Sequence, residues 1–528
     1  MLQRDIKLND EQMRRFICDG VVVLESGISA STHQKIFEKI QWSNTHEFNM
    51  GNNVLPRVPD LQKVLDAPAI QGAVQSVLGE DYILHPHRFM HASEPVDDDA
   101  REIQLDGYEN AVTMGQGSSG TSHWHQDSQS PLSRARYHVP RLAMILYFPQ
   151  DTPIERGPTR VIPGTHLQAG LYESDYPFAF VSDTVKAGTC FLLAFDIAHA
   201  ALSNRTDSSR YMFKFVFMRR RNPTAPTWDG GAEPWQAPVT RLGRFDHTKA
   251  WSYIWDWMRG ARQHVAQTES SDVNKQISRL NGEGPESGLN VIYELAQMGA
   301  PAVDPLCKSL LAHVGRPLGR DKDKRNTGEY EAASRERRWN EGAFAVQDEA
   351  YALGALGAPA INALVTLLQH ADPWIQINAA FALGEIGVPA SVAMSALVEQ
   401  LNDEHHQVVR AVLDAIACIG VNTRVALPAI RRLLSEDNPA WQEIIMRGWT
   451  GENQVRFNAM CALLNSDIPV SEIEDLLIDT FDDANGYVPA LALEALTREG
   501  SQQALQSALS FLKAHRWDDT LAKELRVF

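Results

Sequence analysis

Several things are scarce in this chain, and each scarcity excludes something. Its 528 residues include five cysteines, Cys18, Cys190, Cys307, Cys418 and Cys461, with no CxxC pair. Scattered thiols suit a reducing compartment and argue against a disulfide framework or a cysteine zinc site. Positive charge is in deficit, with 49 Lys and Arg against 66 Asp and Glu, a formal net charge of −17 and a pI near 5.5. A basic footprint is missing, so nucleic acid is not an expected partner. No apolar run reaches the length of a membrane span. Arg4, Asp5 and Lys7 precede any apolar stretch, unlike a secretory signal. The expected location is cytoplasmic.

What is there is a soluble, globular composition, 44% hydrophobic and 22% charged, in a chain too long for one core. Two or more domains are expected. The chemistry-bearing stretch is Ser122-His123-Trp124-His125-Gln126-Asp127. Side chains alternate along a strand, so His125 and Asp127 point the same way and can reach one ion. A third ligand must come from elsewhere. Two histidines and a carboxylate with open positions suit non-haem Fe(II) oxygenases. The same pair could also be a buried hydrogen-bonded couple without metal. His370-Ala371-Asp372 repeats the spacing and reads as a helix end.

Further pieces surround that strand. Gly157-Pro158-Thr159-Arg160-Val161-Ile162-Pro163-Gly164-Thr165-His166 follows a strand-like run from Arg141 to Phe148. Gly188 to Asp196 reads as another strand leading to His199, and Asn204 and Arg210 open the strand Arg210 to Arg219. Near the N-terminus stand Leu8-Asn9-Asp10-Glu11-Gln12, Phe16 and Asp19-Gly20-Val21-Val22-Val23-Leu24. Over roughly residues 5–220 this set resembles the phytanoyl-CoA dioxygenase (PhyH) family of Fe(II)/2-oxoglutarate oxygenases. The resemblance implies His125, Asp127 and His199 as iron ligands and Arg210 as partner of the distal carboxylate of 2-oxoglutarate. A guanidinium fork matches a carboxylate and stays charged when enclosed. It implies Fe(II), 2-oxoglutarate and O₂ as cofactor and cosubstrates, with succinate and CO₂ released as a small organic substrate is oxidised, most simply by hydroxylation. Ser128 is a candidate cosubstrate contact. His123 is a candidate substrate contact, a supporting residue or a substitute ligand. His166 belongs to the PGTH turn. Some relatives carry a serine two residues after the distal histidine, where this chain has Ala201. Related halogenases have a small residue at the position of Asp127, so the carboxylate here points to hydroxylation, desaturation or ring closure.

Elsewhere the pattern is coarser. Helices are expected over 9–18, capped by Asn9 or Asp10, over 31–43 from Ser31, and over 59–78. Tyr82 to His91 reads as a strand whose His85, His87 and His91 are ordinary polarity or site lining. Residues 94–121 are a lid or a loose surface insertion. Short strands between Gly/Pro turns from Ser122 to Arg219 suggest a jelly roll. The aromatic face of the last strand would pack under the N-terminal helices, and the face with Arg210 and Lys214 would look inward. Residues 222–240, rich in proline, read as a linker. Trp228, Trp235, Trp251, Trp255 and Trp257 mark the seam between domains.

The C-terminal part repeats. Gly-Ala-Pro-Ala at Gly299 and Gly357, Gly-Val-Pro-Ala at Gly387 and a looser copy at Gly420 each join two helical stretches. These resemble HEAT-like repeats. The expectation is a multidomain α and β protein. It has an N-terminal double-stranded β-helix (jelly-roll, cupin-type) barrel with flanking helices over 1–221 and a linker with Trp-rich helices over 222–285. A HEAT-like α-solenoid covers 286–528, with a charged insertion near 316–341. Three functions stay open: a small-molecule oxygenase, an oxygenase whose repeats capture a client protein, and a non-catalytic scaffold. Self-association through the repeats is open too.

Overall fold

The computed structural model describes residues 5–47, 50–96, 124–127, 137–168, 173–182, 185–261, 270–282, 285–312, 314, 346–446 and 449–514. Residues 97–121 of the lid or insertion expected over 94–121, the charged insertion, His123 and Ser128 lie outside them.

The chain begins with a reciprocal cap. The Asn9 side chain accepts from the Gln12 amide while the Gln12 side chain accepts from the Asn9 amide, which starts α1 (Asp10–Asp19). Its apolar stripe of Met13, Phe16 and Ile17 is buried. Gly20, at φ 73°, ends the helix and turns the chain into β1 (Val21–Glu25). A Cβ at Gly20 would lie 2.6 Å from His166 Nδ1, so the turn also admits a close neighbour. The next helix, α2 (Ala30–His46), starts one residue earlier than expected, because Ser29 accepts from the Thr32 amide. After a single turn, α3 (Val54–Arg57), the helix expected over 59–78 is two, α4 (Leu61–Leu65) and α5 (Pro68–Leu78). Pro68 opens the second, with Ala67 held extended at ψ 130° before it.

Two antiparallel sheets follow. The larger has the order β1-β6-β3-β8-β2, with β2 Tyr82–Ser93, β3 Leu142–Tyr147, β6 Thr189–Ala194 and β8 Arg210–Arg219. The smaller has the order β5-β4-β7, with β4 Thr159–Ile162, β5 Phe180–Val181 and β7 Ala198–Ala201. Alternation sorts β8 into two faces. Tyr211, Phe213, Phe215 and Phe217 join the core that includes Ile36 and Ile40 of α2 and Val74 and Val77 of α5. Met212 and Val216 face the other way and join Met144, Leu146, Phe191 and Leu193, with Val161 of β4 and Ile197 just before β7. Residues of both sheets thus share one apolar cluster.

The strand expected over Tyr82 to His91 forms, but its histidines do not share a face. The pairing of β2 with β8 shifts register between Leu84 and Arg88. Pro86 lies inside that irregularity, where it has no amide to give the ladder. His85 and His87 turn to the repeat domain, against Phe457 and Tyr487. His91 returns to register opposite Met212.

Residues 222–247 contain no helix or strand and strap the N-terminal domain. Trp228 Nε1 donates to Asp10, and the Asp19 carboxylate accepts from the amides of Leu242 and Gly243. The strap ends in α6 (Thr248–Met258), which packs on α1 and on the first repeat helix below. Trp228, Trp251 and Trp255 are buried there.

Helices and one short antiparallel strand pair, Ile444–Met446 with Trp449–Thr450, make up the rest: α7 (Ser270–Gly282), α8 (Pro285–Gln297), α9 (Val303–Leu311), α10 (Asp348–Leu356), α11 (Ile361–Leu368), α12 (Pro373–Ile386) and α13 (Met394–Glu399), then α14 (His406–Ile419), α15 (Leu427–Ser435), α16 (Gly451–Leu464), α17 (Glu474–Asp479), α18 (Tyr487–Glu499) and α19 (Gln502–Ala514). Gly299, Gly357 and Gly387 all take positive φ, and a short 3₁₀ turn carrying the proline leads into the partner helix, as the repeat pattern predicts. Asp372 caps α12 at the Trp374 amide, so the second His-x-Asp is a helix start.

The even-numbered helices from α8 to α18 stack in sequence as an inner row. They are largely enclosed: every residue of α14 is buried, polar His406, Gln407, Arg410 and Asp414 included, as are eleven residues of α12. The reason is that the N-terminal domain covers them. His138 Nδ1 is 2.7 Å from Tyr293 OH, and its ring stacks on Tyr351 at 3.9 Å. Tyr137 stacks on Phe381, and Arg141 pairs with Glu385 at 2.8 Å. Asn222 donates to the Cys418 carbonyl, Arg220 to the Leu464 carbonyl, and Arg498 pairs with Asp81. All six inner helices therefore touch the oxygenase-like part.

Candidate metal centre

The ligand segment Trp124–Asp127 is pinned from both sides. His125 pairs with β7 as a two-way bridge to His199: the His125 amide donates to the His199 carbonyl at 3.2 Å, and the His199 amide donates back at 3.0 Å. Trp124 and Gln126 share the other face of the segment, where Gln126 is buried and Trp124 packs beside Ile162 and Ala198. The Arg160 guanidinium lies 4.7 Å from the centre of the Trp124 ring, and Gln126 Nε2 donates to the carbonyls of Thr165 and Gln168. Thr165 Oγ accepts from the Ala198 amide, which ties the PGTH turn to β7. His125, which is exposed, and the half-buried Asp127 lie on the opposite face, beside the buried His199.

The three side chains converge. One ligand atom from each of His125, Asp127 and His199 lies within 4.8 Å of the others. The two imidazole centres are 4.2 Å apart, and His199 Nε2 is 3.8 Å from Asp127 Oδ2. His199 Nδ1 is 3.0 Å from the Ile197 carbonyl, which fixes the N–H on that side and leaves Nε2 with its lone pair turned to the cluster. Burial first, then the His125 ring, pushes His199 down to about 3, so it is neutral and able to bind a metal. Burial alone would raise the Asp127 carboxyl. Lys214, His199 and His125 outweigh it and hold the group ionised, well below the usual carboxylate range. Two neutral imidazoles and one carboxylate form a donor set that fits a divalent transition metal.

Arg210 and Lys214 lie on the inward face of β8. Arg210 is 2% exposed, and its Nε donates to the Gly157 carbonyl at 3.1 Å. It has no ion pair with a carboxylate among the described residues. Burial, with a smaller push from Arg156, lowers it to about 10. Lys214, whose ammonium touches Asp127 Oδ2, was not singled out by motif. The signal was in the alternation of β8, which puts it on the Arg210 face. Asn204 is a turn residue: its side chain donates to the carbonyls of Ser93 and Ser208 and accepts from Thr206. His166 turns away from the cluster, with Nε2 3.2 Å from the Ile17 carbonyl of α1, as its place in the turn suggested.

Comparison with known proteins agrees with this picture. Residues 16–212 match the family model "Phytanoyl-CoA dioxygenase (PhyH)", and residues 349–417 match the model "HEAT repeats". The chain thus joins a region similar to the PhyH family to a region similar to HEAT repeats. No curated protein matches the chain. Among solved structures, it is similar to the non-heme alpha ketoglutarate dependent epimerase SnoN from nogalamycin biosynthesis, at 17% identity over 44% of this chain and 95% of that one, TM-score 0.31. HygX from Streptomyces hygroscopicus, with nickel and 2-oxoglutarate bound, is similar at 12% identity over 40% and 88%, TM-score 0.30. CytC3 with Fe(II) and alpha-ketoglutarate is similar at 14% identity over 41% and 79%, TM-score 0.29. Overlaps this partial are likeness and nothing more. No single helix among the described residues is long and apolar enough to cross a membrane.

Proposed function

We propose that this protein is an Fe(II)/2-oxoglutarate-dependent dioxygenase that oxidises a small organic substrate. His125, Asp127 and His199 hold the iron, and Arg210 receives the far carboxylate of 2-oxoglutarate. The supporting observation is the convergence of the three ligand atoms with the His199 tautomer already set for coordination. The buried Arg210 guanidinium adds to it, because an enclosed cation whose one partner among the described residues is a backbone carbonyl calls for an anionic ligand. Bound at this site, ferrous iron would couple the cleavage of O₂ to the decarboxylation of 2-oxoglutarate, so that RH, 2-oxoglutarate and O₂ become ROH, succinate and CO₂. The protein's part is to hold and orient. The segment expected as a strand makes a single bridge, and that His125–His199 bridge together with the Gln126 clamp holds its ligands against β7. The retained carboxylate of Asp127 favours hydroxylation, or another oxidation, over halogenation.

The inner repeat row is covered by the protein's own catalytic part, so these helices are read as a scaffold for it. A client polypeptide would have to use another face. Adding Fe(II) and 2-oxoglutarate under anaerobic conditions tests the proposal. A weak visible charge-transfer band is expected, and its absence would favour a non-catalytic scaffold.

A further inference from the structure

The inward face of β8 brings two cations to a centre that has one carboxylate. The Lys214 side chain is 5% exposed and its ammonium sits on Asp127 Oδ2, the oxygen that also lies 3.8 Å from His199 Nε2. That oxygen points into the space between the three ligands, where an ion would bind. Among the described residues no other carboxylate pairs with Lys214. Four residues along the same strand face, Arg210 has only the Gly157 carbonyl as a described partner. A metal that takes Asp127 therefore leaves two enclosed cations without a carboxylate partner among the described residues. Enclosed charges are paired or they are costly. A ligand with two carboxylates would answer both.

We propose that Lys214 is a placeholder cation: it holds Asp127 in position before the metal arrives, yields that oxygen to the metal, and then pairs with the metal-proximal carboxylate of the 2-oxo diacid whose far carboxylate meets Arg210. This rests on reading the cluster as the metal centre. It makes one residue act with opposite signs on two ligands. Lys214 opposes the metal, because the ion must displace it. It assists the diacid, because its freed ammonium needs an anion. A merely structural lysine would weaken both ligands when removed.

The test uses the metal-free full chain, Mn²⁺ as a redox-silent probe, and then 2-oxoglutarate added to the Mn²⁺-loaded protein, both followed by calorimetric titration. Wild type is compared with Lys214→Met and Lys214→Gln, the second covering failure of the first to fold. In either variant Mn²⁺ should bind about tenfold tighter or more, the size of one charge-assisted hydrogen bond no longer competing. 2-Oxoglutarate should bind about tenfold more weakly for the same reason. Unchanged or weaker Mn²⁺ binding in a folded variant overturns the placeholder role. Tighter Mn²⁺ with unaltered 2-oxoglutarate affinity overturns the second half. If wild type and Asp127→Ala bind Mn²⁺ equally, the metal centre itself is wrong, which is a separate failure.

Discussion

Glu385→Ala should cost far more than a surface ion pair would. Arg141 Nε and Nη2 both donate to Glu385 Oε1, at 3.0 and 2.8 Å, and both side chains are 7% exposed. An exposed pair is worth ~0–1 kcal/mol. Removing one partner of a buried pair costs ~3–5 kcal/mol, because the remaining charge is stranded. Here the stranded guanidinium keeps Asn222 Oδ1 at 3.0 Å and lies over the rings of Tyr137 and Trp257. These partners soften the loss, so about 3 kcal/mol is expected, at the low end of that range. Urea unfolding followed by tryptophan fluorescence reads it, since Trp257 lies over the guanidinium. The double variant Arg141→Met, Glu385→Ala should lose clearly less than the sum of the two single losses. A single-variant cost below about 1 kcal/mol would show that the two domains are not held by this pair. The pair also matters to the site: Tyr137, His138 and Arg141 are the first described stretch after Asp127, ten residues on, and the repeats anchor it.

Other outcomes follow from the same geometry. Arg210→Met removes a buried cation with no described counter-ion, so the ligand-free protein should be no less stable by thermal melting, while the KM for 2-oxoglutarate rises at least tenfold, as for loss of a charge-assisted bond. A melting temperature that falls together with binding would make Arg210 a structural residue instead. Acid sensitivity should come partly from His166, His247 and His406, which burial pushes down to about 3, about 4 and about 3. All three are neutral in the folded protein. Their contribution is complete above the ordinary value of 6.5 and is lost as pH falls from there toward 3 to 4, because the unfolded chain takes up the protons first. Each adds a slope of about 1.4 kcal/mol per pH unit in that window. Replacing His247 by Phe should flatten the urea-midpoint profile below pH 6.5, and an unchanged profile would refute the assignment. Gly20→Ala should destabilise by about 1 kcal/mol or more, since it forces a side chain into a left-handed turn against the His166 ring; a neutral melt would show that the turn relaxes.

Much of the site could be read in the sequence, and the reasons are local. Strand alternation placed His125 with Asp127 and sorted the two faces of β8, because a period of two survives in any sheet. The glycine–proline turns marked the repeat units for a similar reason: positive φ and a missing amide act within a few residues. What was not legible depended on distant partners. The histidine row of β2 divides at Pro86 because the repeat domain claims His85 and His87. Asn204, in the motif beside the ligands, serves a turn. Glu385 and Arg141 are 244 positions apart, and no local pattern pairs them. Lys214 sat on the correct face in plain view, yet only the fold puts its ammonium on Asp127.

The most direct measurement is succinate release, made with Fe(II), 2-oxoglutarate and O₂ across a metabolite panel, for wild type beside Asp127→Ala. Three converging side chains at a ferrous ion predict basal succinate from the wild type, stimulation by a true substrate, and none from the variant. Equal succinate from the two proteins would contradict the assignment of the centre.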